Sequence, residues 1–516
     1  METVAPRISI LSGKGVSRRR RLTTEAAIKA FFGSNAVVAI VVLALITIFL
    51  FREGFGFFGQ NLANLRLYRR AGLEYVDIIR GQAQTHAALS RQLGEIRLEE
   101  MRALSSGGNL EAFDQFAGAF SDSGEFLNAL VSDANDQALA LREALIAAGT
   151  PSAVSSAEAQ PSTGIAAPID PRAAMIALRS ADDKFPKIAE AMKAKIDSLL
   201  TAPPVLSNSK AKQSFESWKK KTRNYLAQLP AVSQRLREWD PDKPVPAYRA
   251  ITAFLFGTDW VTASFWQDWY GIIPLLVGSI MVATVALLLA VPLGVCSAIY
   301  VSEVAARSEK SLIKPYIEFI SAIPSVVLGF FGIAVVGQAV RALSQMPFMK
   351  WVPFFPISER LNVFTAGSLL ALMAVPTIFT LAEDALQNVP RGFKEASYAL
   401  GANRLQTIAR VLVPASLSGI ISAVLLGLGR VIGETMVVLL CAGNRIAIPD
   451  FTQGLGAFFQ PVHTMTGIIA QEMGEVVRGS IHYRALFMVG LVLFALTLGI
   501  NYLAQRLVAR YRMSIG

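Results

Sequence analysis

The amino-acid sequence predicts an all-α, polytopic membrane protein: six membrane-spanning helices and a large helical insertion on the outer side. Three observations carry this prediction. The chain has 516 residues, of which 53% are hydrophobic and 17% charged, with a mean hydropathy of +0.44; soluble domains average roughly 25% charged residues. Six segments approach the ~20 mostly apolar residues that a helix needs to cross the hydrocarbon core. Lys and Arg collect in alternate short loops, as the positive-inside rule demands. The only cysteines, Cys296 and Cys441, both sit in apolar runs, which excludes a disulfide framework or a thiolate metal cluster. The net charge of +11 leaves nucleic acid, anionic lipid and loop bias open until the charge is located.

Taken in order, residues 1–32 form a basic N-terminus containing Arg18-Arg19-Arg20-Arg21. The first span, 33–51, ends at Phe51-Arg52-Glu53 without a small-residue cleavage site, so an uncleaved anchor is expected rather than a signal peptide. Residues 52–268 form a polar insertion. Leu89, Leu93, Ile96 and Met101 fall at helical spacing, and Leu139, Leu141 and Leu145 do so less regularly. A Ser/Ala/Pro-rich stretch at 149–171 reads as a linker, and a second helical pair is expected near 172–200 and 209–236. Lys219-Lys220-Lys221 reads as a solvated helix face. Trp260, Trp266 and Trp269 precede the second span and read as an aromatic belt at the outer interface. The remaining spans are expected near 270–301, 317–343, 363–381, 417–442 and 485–504, within a membrane domain covering 269–504. Pro292, Pro324 and Pro376 inside them are tolerable because neighbouring helices re-satisfy the freed backbone groups.

The charge distribution sets the orientation. Segments 1–32, 302–316, 383–415 and 505–516 hold 17 Lys and Arg, against five in the outer loops 345–362 and 442–484. Both termini are therefore placed in the cytoplasm. Of the net +11, +10 lies on these four inner segments, and the insertion is neutral. The basic pI is a topology signal, and nucleic acid is not an expected partner; the lipid bilayer is.

Catalytic motifs are scarce. The three histidines, His86, His463 and His482, show no ligand spacing. Ser12-Gly13-Lys14-Gly15 lacks the first Gly and the hydroxyl residue of a phosphate-binding loop, so no cofactor is expected in this chain. The inner loop 383–415 is more informative. Glu395 and Ala396 fit a short helix, Gly401 fits a turn needing positive φ, and 403–413 fits a second helix before Pro414. Such a helix–turn–helix is either a docking element for a partner's groove or an ordinary amphipathic connector. Inside the fifth span, Arg430 and Glu434 stand four residues apart and are expected to pair on one helix face. Intramembrane charges usually face an interior or an aqueous path, and the guanidinium fork suits phosphate oxygens; a structural ion pair is the alternative. Ser325 and Thr377 follow helix-interrupting prolines. They either line a path or bond to their own helices. Arg445, Glu472, Glu475 and Arg478 in the last outer loop read as surface charge or as contacts for a docking protein.

The loop Glu395-Ala396-Ser397-Tyr398-Ala399-Leu400-Gly401-Ala402 with Val411-Leu412-Val413-Pro414 resembles the EAA motif of binding-protein-dependent ABC importer permeases. Ser397 replaces the motif's second Ala, and Val411 and Val413 replace Ile and Leu. Ile323-Pro324-Ser325-Val326-Val327-Leu328-Gly329-Phe330-Phe331-Gly332 is similar to the third-helix signature of phosphate permeases. Gly427-Leu428-Gly429-Arg430-Val431-Ile432-Gly433-Glu434-Thr435-Met436 with Ala442-Gly443-Asn444 resembles the PstC-type family rather than its PstA-type partner. The resemblance covers about residues 270–516; the insertion is much larger than in compact family members. It implies a permease subunit of the bacterial inner membrane, with 52–268 periplasmic. It implies a second, PstA-like permease, a PstB-like ATPase dimer that binds ATP and Mg²⁺, and a PstS-like periplasmic phosphate-binding protein. Glu395, Ala396 and Gly401 become candidate ATPase-coupling residues; Arg430 and Glu434 become the principal substrate-path candidates, with Ser325 and Thr377 beside them. Two other readings stay open: a permease for sulfate or molybdate, and a membrane sensor using the insertion.

Overall fold

The computed structural model describes residues 18–103, 110–147, 170–262, 264, 266–349, 351–352 and 354–511. The motif at 12–15 and nearly all of the 149–171 linker lie outside these residues. Helix α1 (Arg18–Arg70) is a single 53-residue rod, about 80 Å long at 1.5 Å per residue. Its apolar first half is exposed along its whole girth, as a lipid-facing helix should be. The helix does not stop at the end of the expected first span. It continues through Arg52 and Glu53 and buries Phe57 and Leu65 outside.

A turn at Gly72 (φ 75°) leads into the insertion, where α2 (Leu73–Ala103), α3 (Glu111–Asp122), α4 (Glu125–Ala147), α5 (Pro171–Arg179), α6 (Ala181–Thr201) and α7 (Ser209–Arg237) follow. Helix α2 packs on α4 and α7, and α6 packs on the same two. The result is a four-helix bundle, with α3 and α5 as kinked leaders of α4 and α6. The local signals are clear. Asp170 caps α5 with Pro171 at its first position, and Asn208 caps α7. Phe215, Trp218, Tyr225, Leu229, Val232 and Leu236 line one face of α7 and are buried. Leu89, Leu93 and Ile96 meet them from α2, while Met101 stays exposed. Trp218 Nε1 donates to Leu89 O at 3.0 Å. Lys219 pairs with Glu216 on the solvated side.

After α8 (Tyr248–Leu255), a short antiparallel ribbon joins β1 (Trp260–Val261) to β2 (Trp269–Tyr270). The three tryptophans here do not form a lipid-facing belt. Trp260 packs edge-on against Tyr270, Trp269 edge-on against Tyr68, and the Arg80 guanidinium lies 3.8 Å over the Trp266 ring. Trp266 and Trp269 pack against the bundle core, and Trp260 is buried in the neighbouring cluster with Phe57, Phe254 and Tyr270, where the rings gain more buried area than at a headgroup surface.

Among the described residues, six helices are long and apolar enough to cross a membrane, by length and composition. After α1 comes α9 (Ile273–Ile299), which ends in a π turn, Tyr300–Val304. Helix α10 (Arg307–Ser321) is a separate amphipathic helix, not the start of the third span. The break at Ala322-Ile323-Pro324 follows from the clash of a proline ring with preceding helical backbone. The third span is α11 (Ser325–Phe331), a π turn (Gly332–Val336) and α12 (Gly337–Ser344). The fourth is α13 (Val363–Gln387). Two short helices, α14 (Arg391–Ala399) and α15 (Arg404–Thr407), form a hairpin between the fourth and fifth spans. A π turn, Ile408–Leu412, then feeds α16 (Val413–Gly433), the fifth span. That span does not run to 442: it breaks at Glu434-Thr435 before α17 (Met436–Cys441). Helix α18 (Met465–Glu472) lies in the loop between the fifth and sixth spans, and α19 (Ile481–Tyr511) is the sixth span.

The membrane core is built by α9, α13 and α16 with α11 and α17 against them. Small residues set their spacing, since no hydrophobic force draws helices together inside lipid. A Cβ on Gly427 would come within 2.7 Å of Ile378 Cγ1, so α16 reaches α13 only because position 427 is bare.

Candidate functional site

Two arrangements concern function, one between the apolar helices α13 and α16 and one at the hairpin that joins them. At membrane depth, α13 and α16 lie side by side, and Arg430 extends from α16 to donate through Nη1 to Thr377 Oγ1 at 3.1 Å. Pro376 lies inside α13 and has no amide to donate to its hydrogen-bond ladder, and the neighbouring Thr380 hydroxyl donates to Pro376 O. Thr377 is half-buried and Arg430 exposed on the surface of the chain. The structure thus brings two of the four path residues together.

Glu434 is placed differently from expectation. It stands where α16 has ended, with extended backbone (φ −72°, ψ 132°), and does not share a helical face with Arg430. Its Oε1 accepts from Met436 N at 3.2 Å, and no ion pair joins it to Arg430 among the described residues. Three features explain the break: Gly433 has little helix propensity, the Glu434 carboxylate captures the first amide of α17, and Thr466 Oγ1 donates to Glu434 O at 2.8 Å. That last bond ties the break to α18. Ser325 opens α11, half-buried, one turn before Leu328 and Gly329; Gly329 O accepts from Cys441 Sγ on α17.

The loop between the fifth and sixth spans is organised around α18. Thr464 Oγ1 caps the helix by accepting from Gly467 N, and Ser279 Oγ on α9 accepts from Met465 N at 2.9 Å. His463 is buried, and burial holds its imidazole below the usual value; its Nε2 meets Gln471 Oε1 at 3.0 Å. His482 Nε2 lies 2.7 Å from Glu472 Oε2. Arg445, Glu475 and Arg478 are exposed. No group of three His, Cys, Asp or Glu side chains suited to a metal ion occurs among the described residues.

Between α13 and α16, α14 and α15 form a hairpin. Glu395 and Ala396 lie exposed on α14, and Gly401 takes φ 81° in the turn, a conformation costing an ordinary L-residue about 1–2 kcal/mol. Asn403 and Gln406 form a capping box that starts α15. Ser397 Oγ and Thr407 Oγ1 meet at 2.9 Å and close the hairpin; position 397, where the motif departs from Ala, is thereby explained. Phe393, Ala396, Leu400, Gly401 and Arg410 line a groove of about 470 Å³, and Leu400 is 89% exposed. Sequence reasoning missed what fastens the hairpin. Glu303, in the π turn after α9, takes Lys394 of α14 in an ion pair, and its backbone oxygen accepts from Arg404 of α15. No local signal links these positions, because 91 residues separate Glu303 from Lys394.

This geometry, a bundle of apolar helices with an exposed hairpin between two of them, agrees with known sequences. Residues 290–513 match the family "Binding-protein-dependent transport system inner membrane component". The chain is 37% identical over 242 residues to the "Probable ABC transporter permease protein YqgH" of Bacillus subtilis, covering 46% of this chain and 72% of that protein. It is 31% identical over 277 residues to the "Phosphate transport system permease protein PstC" of Haemophilus influenzae (51% and 84%), and 29% identical over 272 residues to the protein of the same name from Pasteurella multocida (51% and 82%). The molecule is therefore a multi-pass permease subunit of an ABC importer, a class that works with a partner permease, a separate ATPase and a binding protein. Within that class it belongs to the PstC-type family.

Proposed function

We propose that this permease passes inorganic phosphate inward across the bacterial inner membrane, receiving it from a PstS-like periplasmic binding protein. Arg430 is the observation that carries this reading. A guanidinium exposed at membrane depth is costly against lipid and belongs beside water or another subunit. Its planar fork suits a tetrahedral oxyanion, and Thr377 holds one arm so that the others are free to turn toward the path. The relatives named as phosphate transport permeases support phosphate over sulfate or molybdate.

A PstA-like second permease supplies the opposite wall of the path. A PstB-like ATPase dimer holds ATP and Mg²⁺ and seats the hairpin carrying Glu395, Ala396 and Gly401 in its cleft. Both termini face the cytoplasm, and the four-helix bundle stands in the periplasm. ATP-driven closure of the ATPases moves the hairpins and exchanges the outward for the inward opening of the path. Glu434 shapes the outer end of that path by holding the helix break.

The experiment is phosphate uptake by the four-component complex in proteoliposomes. Arg430→Ala should abolish uptake while the subunits still co-purify. Uptake of sulfate or molybdate in place of phosphate, or full uptake by the variant, would sink the reading.

A further inference from the structure

The inner hairpin is joined covalently to α13 and α16, because it lies between them in sequence. It also has a third attachment. Glu303 is 8% exposed, and both of its polar ends are engaged by the hairpin: the carboxylate by Lys394 on α14, the carbonyl by Arg404 on α15. Ser302 Oγ reaches Glu303 Oε1 at 3.4 Å, and Ser302 O accepts from Lys310 Nζ of α10 at 2.8 Å. Just above, Ala298 and Val301 pack with Phe379, Ile408 and Leu412 in one apolar cluster at the inner end. Since Ser397 and Thr407 already lock the two arms together, a displacement of the hairpin must either carry the end of α9 with it or break both contacts at Glu303.

We propose that Glu303 is a positioning residue of transport: it makes α9 a third member of the body that the ATPase moves, beside α13 and α16. The inference rests on the permease reading above. Its physical basis is that a charge-assisted pair with a buried carboxylate and a half-exposed lysine resists separation, because parting leaves the desolvated Glu303 carboxylate unpaired. Helix α9 packs along the length of α13, which carries Thr377. Through Glu303, hairpin motion therefore reaches the Arg430–Thr377 contact by way of α9 as well as directly through α13 and α16. The π turn at Tyr300–Val304 serves this arrangement: its wider winding sets Glu303 at the helix end with its carbonyl free to accept from Arg404.

The test uses the full complex with its ATPase and binding protein. In Glu303→Ala and Lys394→Met, the ATPase should still co-purify and hydrolyse ATP, while phosphate moved per ATP falls about tenfold, the effect of one lost charge-assisted bond. The double reversal Glu303→Lys with Lys394→Glu should recover most of that ratio, since the Arg404 bond to the backbone oxygen survives both changes. A second measurement does not depend on the substrate. With Cys296 and Cys441 replaced by Ser, spin labels at Ala306→Cys and Gly392→Cys report the distance from the end of α9 to the hairpin. It should be the same in the resting and vanadate-trapped complexes, and should change on trapping once Glu303→Ala is added. A distance that changes on trapping in the parent, or a single variant with parental transport per ATP, overturns the role of Glu303. A parent complex that moves no phosphate instead refutes the substrate, and the distance measurement still decides the proposal.

Discussion

Arg430 Nη1 donates to Thr377 Oγ1 at 3.1 Å, joining two membrane helices whose sequence positions differ by 53. The bond orients the guanidinium without neutralising it, because a hydroxyl carries no charge. That distinguishes it from an ion pair, which would leave the fork less available to an incoming anion. Thr377→Val keeps the shape and removes the acceptor. It should lower phosphate uptake several-fold, since hydrogen bonds to charged groups contribute about 1.5–3 kcal/mol when buried and less at a wetted site. Arg430→Lys should fall between the parent and Arg430→Ala, because an ammonium lacks the two-pronged geometry. Initial uptake rates in proteoliposomes, at matched subunit stoichiometry, check both.

The break at Glu434 makes a second prediction. Thr466 Oγ1 donates to Glu434 O across the gap between α18 and the end of α16. Thr466→Val leaves that carbonyl without the donor, at a cost of about 1 kcal/mol. It should allow α16 to wind further toward α17. The expected outcome is reduced uptake with little loss of thermal stability, and recovery in Thr466→Ser. If Thr466→Val retains parental uptake, the tie to α18 does not shape the path.

Much of this was legible in the sequence for physical reasons. Six apolar stretches and the helical pair expected near 172–200 and 209–236 are local patterns, and the structure places helices there. The positive φ of Gly401 was legible too, because a turn between two short helices needs it. Where local and tertiary forces disagree, the sequence misleads. Arg430 and Glu434 read as an i, i+4 pair only while the helix is assumed to continue; Gly433 and the bond from Thr466 end it first. The aromatic cluster at 260–269 reads as an interfacial belt until Arg80 and Tyr68 arrive from elsewhere in the chain. Glu303 was illegible because its value lies in two partners distant in sequence.

Gly401 supports a third prediction. With φ 81° and open space around its missing side chain, Gly401→Ala meets no clash but pays backbone strain of about 1–2 kcal/mol. Gly401→Asn should cost less, since Asn visits this region more readily. If the hairpin seats in an ATPase, the Ala variant should co-purify with less ATPase than the Asn variant, in that order, while the membrane domain itself keeps its thermal stability. Equal ATPase retention by both would argue that the turn's conformation is not part of the docking surface.

The last prediction concerns the bundle. His86 is stacked on Phe120 with ring centroids 4.6 Å apart, and its Nε2 donates to Phe120 O at 3.1 Å. Burial pushes the imidazole below its ordinary value of 6.5, more than its backbone bonds raise it. The sign of the linkage follows. Well above 6.5 neither the folded nor the unfolded chain holds the proton, and His86 has no effect. As pH falls through 6.5 the unfolded chain takes the proton first, so the bundle loses stability on acidification until the folded imidazole also titrates. Asp77, whose carboxyl burial pushes up, acts with the opposite sign, since its folded form gains the proton first. His86→Phe preserves the stacking, and Phe120 O keeps Ser123 Oγ as a donor at 2.6 Å. Hydrogen exchange of α2–α7 in the intact chain, corrected for intrinsic rates, should show protection falling from about pH 7.5 to about 5.5, with the fall reduced in His86→Phe. An identical pH dependence in parent and variant would assign the acid sensitivity to other groups.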